Sequence, residues 1–205
     1  MTDVAAHAGP HRDDLSSRMG MWLFLLTELL LFGGLFIAYA AYRMTHRADF
    51  HRAGEELNAL LGVANTVVLL TSSFTVALGV HAVRDGRERE APRWIGTTIL
   101  LALAFLAVKA VEWSVKYRHG LFPGQPELVA LPPGERLFFG LYFATTGLHA
   151  VHVLVGAVVL AVSAALVVKG RVGREAPVIL ENAGLYWHLV DIIWIFILPL
   201  FYLAA

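Results

Sequence analysis

Cysteine is absent from the chain. That excludes disulfides, c-type haem attachment, iron–sulfur clusters and thiolate copper sites. Charge is scarce too: 16% of the residues are Asp, Glu, Lys or Arg, where a soluble domain carries about 25%. The two signs balance at 16 each, so no excess argues for nucleic acid or an acidic partner. Hydrocarbon is what the sequence has in quantity. Hydrophobic residues make up 58%, mean hydropathy is +0.65, and the charges cluster so that long apolar runs lie between them. A membrane-spanning helix needs roughly 20 such residues in a row.

Five runs meet that length, which predicts an all-α integral membrane protein, a five-transmembrane-helix bundle. They cover Met19 to Tyr42, Leu57 to Val83, Trp94 to Val115, Arg136 to Val168 and Val178 to Leu203. The fourth is about 48 Å long at ~1.5 Å per residue and must tilt or protrude from the bilayer. Trp22, Trp94, Tyr42 and Tyr202 lie near span ends, where interfacial aromatics sit. Between spans three and four, Lys116 to Glu135 carries four prolines and three glycines and reads as an irregular surface loop. The other connections are short and polar.

Residues 1–18 read as a polar cytoplasmic segment and 19–205 as one membrane domain. Asp13 and Asp14 precede a first apolar run far too long for a signal h-region, so no cleavable signal peptide is expected. Five crossings put the ends of the domain on opposite sides. The N-terminal side collects nine Lys or Arg residues and the other side six. The positive-inside rule then favours a cytoplasmic N-terminus.

Ionisable residues inside a span are costly, and each is by default a functional hypothesis. Glu28 lies mid-way along the first run, with no cation within a helical turn. It reads either as a proton-antenna or conformational carboxyl, or as an acid hydrogen-bonded to a neighbouring helix or a lipid headgroup. Lys109 and Glu112 are three apart and share a helix face, which suits an ion pair near the membrane edge. His149 and His152 show the same spacing in span four, as do His188 and Asp191 in span five, with Glu181 further up. Two such pairs on two helices admit a metal site or a bis-His haem. They equally admit interhelical hydrogen bonding as packing glue. Gly33-Gly34, Gly140, Ala144, Gly147 and Gly184 would allow close backbone approach.

The run Glu181-Asn182-Ala183-Gly184-Leu185-Tyr186-Trp187-His188-Leu189-Val190-Asp191-Ile192-Ile193-Trp194 resembles the signature of haem-copper oxidase subunit III, Trp-His-Phe-Val-Asp-Val-Val-Trp with an acid upstream. Phe143 to Gly156, with Thr146-Gly147-Leu148-His149 and His152, is similar to that family's Thr-Gly-Phe-His-Gly-Leu-His-Val segment. Glu28 before Phe32-Gly33-Gly34 resembles the family helix holding a buried glutamate. Leu57-Asn58, Ser72-Ser73 and Glu112 fall in family order, so the resemblance spans about Arg18 to Leu203.

The resemblance implies a subunit of a respiratory terminal oxidase that reduces dioxygen to water. In that family subunit III carries no haem or copper; those centres sit in subunits I and II. It packs on subunit I, binds phospholipid, sustains proton uptake and protects the complex during turnover. Glu28 would then be the buried carboxyl beside lipid or subunit I. Glu112, His149, His152, Glu181, His188, Asp191 and Trp194 would form a structural polar network. The implied setting is the bacterial plasma membrane, and no cofactor, metal or nucleic acid is expected on the chain itself. The family's long form has seven spans around a V-shaped lipid cleft, and this sequence is similar to its five-span form. A quinol-oxidase subunit III, a nitric-oxide-reductase accessory protein and an autonomous haem or metal membrane protein are the alternatives.

Overall fold

A computed structural model describes the chain from residue 10 to residue 203, with side chains from residue 14. Hydropathy dictates its plan. Among the described residues, five helices are long and apolar enough to cross a membrane. They are α1 (Pro10–Thr45), α3 (Ala59–Arg84), α4 (Ala91–Arg118), α6 (Pro133–Val168) and α7 (Val178–Leu198). Of the expected polar segment 1–18, residues 1–9 lie outside the described residues, and residues 10–18 are the first turns of α1.

Local chemistry sets the helix ends. The Asn58 side chain accepts from the Leu61 amide at 3.2 Å and caps α3. Proline stands in the first turn of α4 and of α6, where its missing N–H costs no hydrogen bond. At the far end, Pro199 lacks a donor, and α7 widens into a π-helical turn, Pro199–Leu203.

The connections are less irregular than expected. Arg47–Glu55 forms a helix, α2, and Pro126–Ala130 a single helical turn, α5, inside the proline-rich loop. Phe50 and Ala53 of α2 are buried, Phe50 edge-on to Tyr39 and to Phe138 of α6. Polar contacts fasten this end of the bundle: Arg52 donates to Glu135 at 2.9 Å, and the Gly134 amide to Asp49 at 3.2 Å. The Glu135 hydrogen bond holds the Arg52 guanidinium above its ordinary pKa. At the opposite end the Arg174 amide donates to Glu88 at 2.9 Å, tying the α6–α7 loop to the α3–α4 loop.

α7 is the axis of the bundle. Half of its most apolar window is buried, against 11% for α1, which lies along the periphery. Close approach is therefore concentrated on the inner helices. A Cβ on Gly156 of α6 would lie 2.8 Å from the Trp187 ring, and one on Gly62 of α3 2.9 Å from Tyr202. Gly33, Gly34 and Gly140 have nothing within 4 Å of such a Cβ. The small-residue approach expected at those three is thus not made within the chain, where the space beside them is open. Tyr202 also departs from its expected interfacial place: it is buried and points inward, whereas Trp22 remains exposed.

Candidate functional site

Polar side chains inside the bundle fall into four groups. The first joins the periphery to the core. Glu28 of α1 and His152 of α6 meet at 2.8 Å, Oε2 to Nε2, with both side chains 14% exposed. The His152 Nδ1 lies 2.7 Å from the Leu148 carbonyl. A carbonyl can only accept, so Nδ1 carries a hydrogen. The hydrogen of the Nε2–Oε2 contact then lies between an imidazole and a carboxyl. Phe32 stands edge-on to the His152 ring at 5.2 Å and closes it from one side.

The second group is a closed ionic cage. Lys109 of α4 donates to Glu112 Oε2 at 3.0 Å, to the Tyr142 hydroxyl at 2.9 Å and to the Tyr202 hydroxyl at 2.7 Å. Both tyrosines donate onward to Glu112 Oε1 at 2.8 Å. The three ammonium hydrogens and both carboxylate oxygens are satisfied at nearly complete burial. Buried charge is tolerable only when so satisfied. The spacing of Lys109 and Glu112 pointed to this pair, which is buried between helices. Of the two tyrosines, on α6 and the π turn, Tyr142 was not singled out from the sequence and Tyr202 was expected at the membrane interface.

The third group pins the ends of three helices. Glu181 of α7 accepts from Arg18 of α1 at 2.8 Å and from Arg84 of α3 at 2.8 Å. Beside it, Asn182 donates to the Ser17 hydroxyl at 3.0 Å.

The fourth is a seam of hydrogen bonds between α3 and α7. His188 Nδ1 meets the Ser73 hydroxyl at 2.6 Å, Trp187 donates to Ser72 at 3.0 Å, and Trp194 donates to Thr66 at 3.0 Å. Ser and Thr at these levels let indoles bury their N–H groups without leaving them orphaned.

His149 and Asp191 depart from the expected network. Both His149 nitrogens and both Asp191 oxygens are buried without a hydrogen-bond partner. His149 sits among rings instead, 5.1 Å from Trp194 and 5.6 Å from Phe105. Asp191 lies beside Ser73, whose hydroxyl is engaged by His188. The two i, i+3 pairs therefore do not converge: His152 turns to α1 and His188 to α3. Among the described residues, no three His, Cys, Asp or Glu side chains are placed to hold a metal ion. The arrangement suits a scaffold with one proton-sharing contact.

The family model for cytochrome c oxidase subunit III matches residues 2–205. Cytochrome c oxidase subunit 3 of Synechocystis sp. is 32% identical over 98% of this chain and 81% of the relative. Cytochrome bo(3) ubiquinol oxidase subunit 3 of Pseudomonas aeruginosa is 27% identical over 97% of this chain and 90% of its own length. A haem-copper oxidase subunit I+III of Aeropyrum pernix is 29% identical over 91% of this chain, which aligns with 22% of that longer protein. With its whole length matched and its five apolar helices in place, the chain belongs to the haem-copper oxidase subunit III family.

Proposed function

We propose that the chain is the non-redox subunit III of a bacterial respiratory terminal oxidase, in the first place a cytochrome c oxidase of the aa3 or caa3 kind. In that reading it packs directly on subunit I, which with subunit II holds the haem and copper, and it has phospholipid as a further partner. It stabilises subunit I and supports proton uptake during the reduction of dioxygen to water, sitting in the plasma membrane with its N-terminus in the cytoplasm. The observation that carries the reading is the Glu28–His152 contact. It is a proton-sharing pair on the most exposed span, while the ionic cage, the Glu181 cluster and the α3–α7 seam hold helices together. The Aeropyrum pernix relative, a haem-copper oxidase subunit I+III, supports subunit I as the direct partner.

Quinol oxidation is the second reading, favoured by the Pseudomonas aeruginosa ubiquinol oxidase relative. One experiment tests both. The tagged chain is purified in mild detergent, its copurifying subunits are identified, and a reduced-minus-oxidised spectrum is recorded. Haem bands that travel with larger subunits and vanish from the stripped chain support the proposal, and oxidation of cytochrome c or of quinol by the complex separates the readings. Haem bands that stay on the isolated chain would make His149, His152 and His188 ligand candidates and overturn it.

A further inference from the structure

Asp191 of α7 is 3% exposed, and neither of its oxygens has a hydrogen-bond partner. An ionised carboxylate in that state is costly, because no donor offsets the water it has lost. The acid therefore holds a proton at rest. Its carboxyl lies beside the Ser73 hydroxyl of α3 but outside hydrogen-bond geometry, so a turn of the carboxyl about its own bond would bring the two together. The same hydroxyl meets His188 Nδ1 at 2.6 Å. A hydroxyl donates one hydrogen and accepts two. Ser73 can thus take a hydrogen from one neighbour while giving its own to the other.

His188 leads outward. It lines an open groove of about 630 Å3 between α1 and α3, with α7 as its floor. The groove reaches the N-terminal side of the bundle at Arg18, Arg84 and Glu181, whose charges are paired with one another. From Glu181 to His188 is about 10 Å of helix rise, and Asp191 lies one turn deeper. Two further titratable groups stand near this route, and both have partners of their own. His81, at the mouth of the groove, pairs with Asp85 at 3.2 Å. Lys109, on the far side, lies 5.4 Å from the Trp194 ring and is held by Glu112.

We propose that Asp191, Ser73 and His188 form a proton-exchange relay that opens through this groove to the N-terminal side, with Asp191 as an internal proton site separate from Glu28 and His152. In its first step the Asp191 hydrogen passes to Ser73 Oγ as the Ser73 hydrogen passes to His188 Nδ1. The products are a carboxylate, a hydroxyl and an imidazolium. The carboxylate now accepts from Ser73 and Ser73 from His188, so no member of the chain is left orphaned. The imidazolium then gives its Nε2 hydrogen to water in the groove, and the reverse sequence reloads the acid. One proton moves and no electron does. The relay rests on the membrane-spanning fold and not on the identity of the oxidase.

The test uses the complex that copurifies with the full chain. Infrared spectra record the C=O stretch of protonated carboxyl groups, and transfer to heavy water shifts that band as the acid hydrogen exchanges. Asp191→Asn cannot carry an acid hydrogen and is expected to remove one such band. Asp191→Glu keeps the acid and is expected to move the band without removing it, which separates a lost acid from a lost assembly. Ser73→Ala in the assembled complex is expected to keep the band and to slow its exchange by about a hundredfold, the low end of what a positioned proton-transfer group contributes. Ser73→Thr, which restores a hydroxyl, is expected to return the wild-type rate. An unchanged band in Asp191→Asn, or exchange in Ser73→Ala as fast as in the wild type, overturns the proposal. Absence of oxidase subunits from the same preparation would instead overturn the functional reading, since the Asp191 band is still recorded from the chain.

Discussion

Glu28 and His152, 124 residues apart in the chain, join the peripheral α1 to α6 through a side-chain hydrogen bond of 2.8 Å. The geometry gives the pair two separable properties. It anchors α1, and it holds a proton that either partner can carry.

Replacing each partner in turn separates those properties. Glu28→Gln keeps an oxygen and a nitrogen opposite His152 but carries no exchangeable acid proton. Glu28→Ala removes the contact and leaves His152 with one unsatisfied nitrogen, at a cost of about 1–3 kcal/mol. Thermal unfolding of the detergent-solubilised complex is expected to shift for Glu28→Ala and scarcely for Glu28→Gln. Turnover lifetime and proton-uptake kinetics are expected to change in both. A Glu28→Gln complex with wild-type uptake and lifetime would leave the carboxyl a purely structural role.

The ionic cage around Lys109 calls for a cycle rather than a single substitution. Lys109→Met leaves the Glu112 carboxylate buried without its countercharge, held only by the two tyrosine hydroxyls on Oε1, and breaking such a pair costs about 3–5 kcal/mol. Lys109→Met combined with Glu112→Leu removes both charges and replaces them with hydrocarbon. The double variant is expected to be more stable than the sum of the singles by about 1–3 kcal/mol, the range for residues in one network. Strict additivity in the measured unfolding free energies would mean that the four groups do not act as a unit.

Much of this fold was legible in the sequence, because membrane spans are written in hydropathy and in the clustering of charge. Lys109 and Glu112 were legible as a pair because three residues along a helix place side chains on one face. The α2 helix was not, since nine residues from Arg47 to Glu55 are mostly polar. A signal was present all the same. Phe50, Ala53, Gly54 and Leu57 recur at helical spacing, and all four are buried. The destinations of His152 and His188 were illegible for a different reason. Spacing along one helix shows which residues share a face, and says nothing about which neighbour that face meets. His149 illustrates the cost of that limit: the same i, i+3 spacing that suggested a ligand pair leaves it ringed by Phe32, Phe105 and Trp194.

The α3–α7 seam carries its own expectation. His188→Ala leaves the Ser73 hydroxyl without its 2.6 Å partner and opens the floor beside Asp191. The loss is expected to be about 1–3 kcal/mol, seen as a lower yield of intact complex after purification. Ser73→Ala is expected to reproduce the effect, since it removes the same contact from the other side. Full recovery of both variants in the complex would show that the seam is held by packing alone.

Packing against Gly156 is the most sharply placed contact between α6 and α7. The ring of Trp187 lies where a Cβ would stand, 2.8 Å from its Cε3, and Tyr186 closes the other side at 3.2 Å. Trp187 cannot retreat without giving up its hydrogen bond to Ser72. Gly156→Ala must therefore push the helices apart by several tenths of an ångström, and overpacking of this kind costs about 1–3 kcal/mol. Gly140→Ala, on the same helix with nothing within 4 Å, is the control. It is expected to be neutral or slightly stabilising, because alanine is the better helix former by about 1 kcal/mol. The two variants differ by one methyl each, so comparing their thermal unfolding isolates the contact from helix propensity. Equal behaviour would mean that α6 and α7 are not held at the separation described here.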